Sequence, residues 1–323
     1  MQHQVYHGLD VTKLFCAFLI VYMHAFFPDL GAVSEWFRYV ITTTGVPFFF
    51  ITSGFFFKKG LLKNNHSKEY LRRYSLRVGK MYLAWTIITL PISWLCIEWG
   101  HPDYSTPLKI AYLFRMFFFS GSCGIYWYLL ALFVCCFIIY YFSVKKRLSL
   151  LYLIATILFI IGVIYDSPYN NDNICFQFIH IVFGSERNFF NVGLFYMCVG
   201  TFFASNNIRC PNLICIIIFI LSVTARTMEV RYLGINCMQA VIAAALFLCA
   251  QNININISDK CSIALRKLST AIYLLHFPFL LVVDYNFKRG TMTGYFSALA
   301  FCFIAYYLLN RLLSKKQKAL LFG

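Results

Sequence analysis

Long apolar runs, separated by short polar connections, dominate the chain. Such runs are predicted to be helices, because about 18 or more apolar residues suffice to cross roughly 30 Å of hydrocarbon. The predicted helices are 11–27, 37–57, 79–99, 125–142, 148–165, 189–204, 213–223, 235–250, 264–283 and 293–312. The alternating segments of about ten residues that are typical of a membrane barrel do not occur in the sequence. The pattern therefore predicts an all-α, polytopic integral membrane protein with about ten transmembrane helices.

Composition supports a membrane protein. Of 323 residues, 60% are hydrophobic and 12% are charged, with a mean hydropathy of +0.69. A soluble domain of this length needs more charge to cover its surface. No internal repeat or soluble appendage is visible, so residues 1–323 are predicted to form a single membrane domain.

The distribution of charge predicts the orientation. The net charge is +16, and 20 of the 28 Lys and Arg residues fall on one side of the predicted helices if the N-terminus is inside. The positive-inside bias then places both termini in the cytoplasm. Because the basic residues gather in short connections, they predict contact with membrane lipid at the cell (cytoplasmic) membrane and no nucleic-acid partner. The 13 cysteines form no CxxC pair or Cys/His cluster, so no metal site is predicted.

The first predicted helix carries three polar side chains that are candidates for chemistry. Lys13 and His24 are eleven residues apart, which is nearly three turns and about 16 Å along the axis. Asp10 precedes Lys13 by three residues on nearly the same side. Ionisable side chains are costly in hydrocarbon, so each is a functional hypothesis. The alternative is that Asp10 and Lys13 form an interfacial ion pair and His24 a helix–helix hydrogen bond. The spacing leaves both open.

Two further features add candidates. His276 lies in the ninth predicted helix, two residues before Pro278. A structural core histidine is the plainer interpretation, but a second imidazole at similar depth favours a shared polar cavity with His24. The connection 58–80 holds eight basic residues, among them Arg72 and Arg73. These could bind phosphates, although the topology alone requires positive charge there.

Several motifs, in order along the chain, resemble the membrane acyltransferase-3 family. They are Asp10 with Lys13 and, eleven residues later, His24; PFFF-x-x-SGF at 47–55; the basic loop; YWYL at 126–129; and IYLLH-x-P at 272–278. The family's first helix carries a basic residue and a histidine that it needs for activity, and these match Lys13 and His24. Many members have Arg where this chain has Lys13, and Lys keeps the charge but loses the bidentate fork.

The resemblance implies a function. Members transfer a short acyl group, commonly acetyl, from cytoplasmic acyl-CoA to a sugar of a surface polysaccharide or glycolipid. His24 would be a general base or carry the acyl group, and His276 would orient the acceptor or shuttle a proton. Lys13, Arg72 and Arg73 would hold the CoA phosphates, with no permanently bound cofactor. The main alternative is a transporter or flippase, since some family relatives move small amino acids.

Overall fold

In the computed structural model, residues 6–25, 31–165, 177, 188–233, 236–286 and 291–322 are described. These residues form helices and turns and include no β-strand. The helices are α1 (His7–Ala25), α2 (Gly31–Trp36), α3 (Gly45–Lys63), α4 (Lys68–Ile88), α5 (Leu90–Gly100), α6 (Thr106–Arg115), α7 (Trp127–Val144), α8 (Leu148–Tyr165), α9 (Leu194–Ser205), α10 (Asn212–Met228), α11 (Met238–Asn252), α12 (Asp259–Asn286), α13 (Met292–Leu312) and α14 (Lys315–Phe322). Short π-helical or 3₁₀ turns occupy Phe37–Ile41, Thr42–Thr44, Met116–Ser120, Ser122–Gly124, Phe189–Gly193 and Glu229–Leu233.

The prediction of an all-helical membrane protein is confirmed, but the predicted number of ten spans is not. Among the described residues, six helices are long and apolar enough to cross a membrane, or seven if α4 and α5, which meet at 60°, form one broken span. Three of the ten predicted segments correspond to shorter apolar helices, at Leu148–Ile164, Phe190–Ser205 and Met238–Asn252. The count of ten crossings and the placement of the termini stay predictions.

Local sequence signals explain several helix ends. Ser67 caps α4 by accepting a hydrogen bond from the backbone of Glu69, and Thr291 caps α13 by accepting one from Gly294. Pro91 and Pro107 sit in the first turns of α5 and α6, where a missing N–H costs nothing.

The chain divides into two compact units. Unit 1 comprises Met1–Thr52, Asn206–Lys318 and Phe322, and unit 2 comprises Ser53–Ser205, Ala319–Leu321 and Gly323. The prediction of one domain is not tested by this division. In unit 1, α1 packs against α12, which also packs on α13, while α10 packs on α11.

Glycines allow α1 to approach its neighbours in unit 1 closely. A Cβ at Gly8 would lie 2.2 Å from the carbonyl oxygen of Ala250 at the end of α11. A Cβ at Gly45 would lie 2.8 Å from Cγ1 of Ile20 in α1. Close contacts near both the start and the later part of α1 therefore set the position of the polar residues it carries.

In unit 2, the end of the PFFF-x-x-SGF motif, in α3, packs against neighbouring helices. A Cβ at Gly54 would lie 2.1 Å from the carbonyl oxygen of Met197 in α9, so the two backbones touch. Ser53 and the hydroxyl of Tyr128, from the YWYL motif, form a hydrogen bond of 2.8 Å. A hydrogen bond between α3 and α7 thus joins the two motifs.

Candidate active site

The N-terminal part of α1 contributes a buried carboxylate whose main partner comes from α12. Asp10 is fully buried. Arg266 donates from Nε to Asp10 Oδ1 at 2.9 Å and from Nη2 to Oδ2 at 2.7 Å, and Ser262 Oγ donates to Oδ2 at 2.7 Å. A bidentate guanidinium and a hydroxyl therefore satisfy both carboxylate oxygens.

Lys13 lies beside this pair but is not its principal cation. Its ammonium is 4.0 Å from Asp10 Oδ1, and 13% of its side chain is exposed. Two cations, Lys13 and Arg266, thus share one carboxylate, and these three side chains carry a net charge of +1. Such a cluster attracts an anion, which an isolated Asp10–Lys13 pair would not do.

Near the other end of α1, two imidazole rings lie next to each other. The ring centroids of His24 and His276 are 5.3 Å apart, with an angle of 35° between the ring planes. His276 is fully buried, whereas His24 is partly exposed. Phe277 meets the His24 ring edge-on at 6.3 Å. Residues 252 positions apart in the chain are brought together because α1 packs along α12.

The surroundings of His276 define its tautomer. Its Nδ1 lies 2.7 Å from the carbonyl oxygen of Tyr273 and 3.2 Å from that of Ile272. Carbonyl oxygens only accept hydrogen bonds, so Nδ1 carries the proton and donates it. In the neutral ring, Nε2 is then the bare nitrogen, and it has no hydrogen-bond partner among the described residues. His276 therefore holds a buried, unused proton acceptor.

Polar contacts hold the segment that carries His24. Tyr22 hydrogen-bonds Ser34 of α2 at 2.9 Å, and Arg38 Nε donates to the carbonyl oxygen of Met23 at 3.3 Å. Tyr22 also packs edge-on against Tyr295 of α13, at 5.7 Å between centroids. Three elements of unit 1 therefore restrain the last turns of α1.

The two arginines predicted to bind phosphate belong to unit 2. Arg72 is 71% exposed, and its Nε forms an ion pair of 3.3 Å with Glu69, one turn earlier in α4. Arg73 is also exposed. Their predicted role in donor binding is not tested by these positions.

The sequence did not single out Arg266 or Ser262 as site residues. Ser262 precedes the predicted helix 264–283 and Arg266 lies near its start, where Arg266 counted only toward the orientation. They are four positions apart in the first turns of α12, which places both on one helix face, but nothing in the pattern indicates that this face meets Asp10.

Comparison with known proteins gives the family. The model of the Acyltransferase domain (Acyl_transf_3) matches residues 6–311. No solved structure matches the chain.

Two curated relatives are both named amino-acid racemase, from Enterococcus faecalis. One is 23% identical over 311 residues, covering 90% of this chain and 43% of the relative. The other is 28% identical over 172 residues, covering 52% of this chain and 23% of the relative. The chain thus spans less than half the length of the curated relatives it matches, and racemisation is the printed activity of those longer proteins.

The family match runs over almost the whole chain and includes all the residues of α1 and α12 described above. The resemblance inferred from the ordered motifs is confirmed: this membrane protein belongs to the acyltransferase-3 family.

Proposed function

We propose that the protein transfers a short acyl group, such as acetyl, from cytoplasmic acyl-CoA to a hydroxyl of a sugar in a surface polysaccharide or lipid-linked glycan. The observation that carries this proposal is the imidazole pair, His24 and His276, with ring centroids 5.3 Å apart. A buried proton acceptor beside a second, partly exposed imidazole is suited to moving a proton during acyl transfer.

In this proposal, His24 takes the proton of the acceptor hydroxyl. The hydroxyl oxygen attacks the thioester carbonyl carbon, the C–S bond breaks, and the departing CoA thiolate recovers the proton from His24. His276 Nε2 is the neighbouring acceptor that keeps His24 in the productive protonation state. His276 is a positioning residue in this scheme, because it acts through His24.

An alternative form makes His24 the acyl carrier. A ring nitrogen of His24 then attacks the thioester, CoA leaves as the thiol, and the acceptor hydroxyl takes the acyl group from the imidazole. Initial-rate kinetics distinguish the general-base mechanism from the acyl-carrier mechanism. Only the acyl-carrier mechanism gives parallel lines in double-reciprocal plots. Only that mechanism also exchanges label between acetyl-CoA and CoA when no acceptor is present.

The cationic cluster supports an anionic donor. Lys13 and Arg266 both lie beside the carboxylate of Asp10, and in this proposal their positive charge faces the phosphates of CoA. With the N-terminus inside, the cluster lies toward the cytoplasm, and about 16 Å of helix separates Lys13 from His24. Arg72 and Arg73, on α4, are proposed to raise the local concentration of the anionic donor through their charge.

The experiment uses membranes that contain the full chain, radiolabelled acetyl-CoA and the host glycan. His24→Ala is expected to reduce label transfer about 10²–10⁴-fold, the range for loss of a general base. Lys13→Ala is expected to raise the KM for acetyl-CoA. The control is His101→Ala, because His101 stacks on Tyr104 in unit 2 and contributes to no step proposed here. Full activity of His24→Ala would refute the catalytic assignment.

A second candidate is a carrier for a small solute such as an amino acid, or a flippase for a glycan precursor. Its support is that both curated relatives are named for amino-acid chemistry and that buried His and Lys side chains suit proton-coupled transport. A carrier moves solute in response to an ion gradient without acyl-CoA and leaves no label on an acceptor. Uptake by sealed vesicles without acyl-CoA, together with no labelled product, would favour this candidate.

A further inference from the structure

Unit 1 contains a polar cavity beside the start of α1, apart from the imidazole pair. Its volume is about 330 Å³, and it is lined by Tyr6, His7, Arg209, Gln251, Asn252, Ile253 and Asn254. Six of these seven residues are polar or aromatic, and among the described residues the lining contains a cation and no carboxylate. A cavity left empty by imperfect packing would instead be lined by apolar side chains.

Two buried polar atoms of the lining residues lack a hydrogen-bond partner within the described parts of the chain. They are Nδ1 of His7 and Oε1 of Gln251. Buried polar atoms are nearly always paired, so two unpaired ones on residues that line the same cavity point to a polar ligand there. The other ring nitrogen of His7, Nε2, lies 3.4 Å from Asp259 Oδ1, and Asp259 is itself mostly exposed.

The cavity wall is built from three chain segments that are fixed to each other. Gly8 packs on the backbone of Ala250 so closely that no Cβ fits. The Asn252 side chain donates to the carbonyl of Cys210, next to Arg209. The start of α1, the end of α11 and the segment before α10 thus meet closely, which places the backbone of Arg209 beside the cavity.

The chemistry of the lining fits a nucleotide. Arg209 and the first-turn N–H groups of α1, which is 19 residues long, can bind phosphate oxygens. The amide of Gln251 and those of the neighbouring asparagines can hydrogen-bond the edge of a base, and the rings of Tyr6 and His7 offer a face on which a base can stack.

The position along α1 fits the order of groups in CoA. His7 precedes Lys13 by six residues and His24 by seventeen, which is about 9 Å and about 25 Å along the helix axis. CoA has its adenosine phosphates at one end and its thiol at the other, joined by an extended pantetheine arm. A donor with its nucleotide at His7 would run past Lys13 with its thioester toward His24.

We propose that this cavity binds the adenosine and phosphate end of the acyl-CoA donor, an assignment that rests on the proposed function for the identity of the nucleotide. Arg209 binds phosphate and Gln251 binds the base.

The test measures equilibrium binding of radiolabelled CoA to the purified full chain, and initial rates with acetyl-CoA and acetyl-pantetheine. Arg209→Met and Gln251→Leu are each expected to weaken CoA binding, and to raise the KM for acetyl-CoA, about tenfold, the effect of losing a charged or buried hydrogen bond. Neither change alters kcat or the KM for acetyl-pantetheine, which lacks the nucleotide. The matched control is Lys267→Met, an exposed cation of unit 1 that does not line the cavity.

Competition identifies the ligand. Adenosine 3′,5′-bisphosphate should displace CoA from the wild-type chain, and pantetheine should not. Unchanged CoA binding in both variants would overturn the proposal, and displacement by ATP as strong as by the bisphosphate would replace it with a general nucleotide site.

The outcome is separable from that of the proposed function. If label reaches an acceptor while both variants bind CoA as the wild type does, the cavity assignment is wrong and acyl transfer stands. If the variants weaken CoA binding but no label reaches any acceptor, the cavity assignment stands and acyl transfer is wrong.

Discussion

At the scale of single residues, the most informative contact is the one between Asp10 and Arg266. The helical spacing in the sequence placed Asp10, Lys13 and His24 on one side of α1 because 3.6 residues per turn is a local property. It could not identify Arg266 as the principal partner of Asp10, since that contact depends on how α12 packs on α1. The pairing of His24 with His276 has the same origin, and similar depth was its only signal.

Replacing Arg266 should destabilise the protein. In Arg266→Met, Asp10 stays fully buried but loses both guanidinium hydrogen bonds, which are 2.9 and 2.7 Å long. Because Arg266 is 44% exposed, we expect a loss of about 2 kcal/mol, below the cost of breaking a fully buried pair. Thermal unfolding of the purified protein in detergent measures the change.

The matched control is Lys267→Met, which removes an exposed cation one residue later. It should leave the unfolding midpoint unchanged. The double variant Asp10→Asn/Arg266→Met should recover part of the loss, because it removes the unpaired charge. Equal midpoints for Arg266→Met and wild type would show that the ion pair does not stabilise the contact between α1 and α12.

At the scale of helices, the apolar runs predicted the elements well because length and hydropathy are properties of the sequence. Three of the ten predicted segments correspond, within the described residues, to apolar helices of 10–17 residues. The PFFF-x-x-SGF motif contributed to the family resemblance, but the sequence could not specify α9 as the neighbour of Gly54.

Gly54→Ala should disturb the contact between α3 and α9. The new Cβ would lie 2.1 Å from the backbone oxygen of Met197, which cannot move like a side chain. We expect a loss of about 1–3 kcal/mol or more, as for overpacking. Gly100→Ala is the control, because nothing lies within 4 Å of its Cβ position. The measurement is the unfolding midpoint of each variant, and a normal midpoint for Gly54→Ala would contradict the close approach.

The hydrogen bond between Ser53 and Tyr128 should appear as a coupling between two family motifs. Ser53→Ala and Tyr128→Phe each remove one partner of a 2.8 Å bond. A double-mutant cycle is expected to give a coupling energy of about 1 kcal/mol. Chemical denaturation of the four proteins provides the cycle, and strictly additive effects would indicate that the motifs are not joined through this bond.

At the scale of the whole molecule, the distribution of charge predicts an orientation. With 20 of 28 basic residues on one side, both termini are expected in the cytoplasm. A fluorescent protein fused after residue 323 should therefore be fluorescent, and alkaline phosphatase fused there should be inactive. The opposite pair of results would place the cationic cluster of α1 on the wrong side for cytoplasmic acyl-CoA.

The central claim is that His24 and His276 act as one unit in acyl transfer, and single-turnover transfer of label from acetyl-CoA to a glycan acceptor tests it most directly. Groups that act as a unit are strongly non-additive. We predict that His24→Asn and His276→Asn each lower the rate by about 10²-fold or more and that the double variant is no slower than the slower single one. Multiplicative losses in the double variant, or near-normal transfer in His24→Asn, would contradict the account.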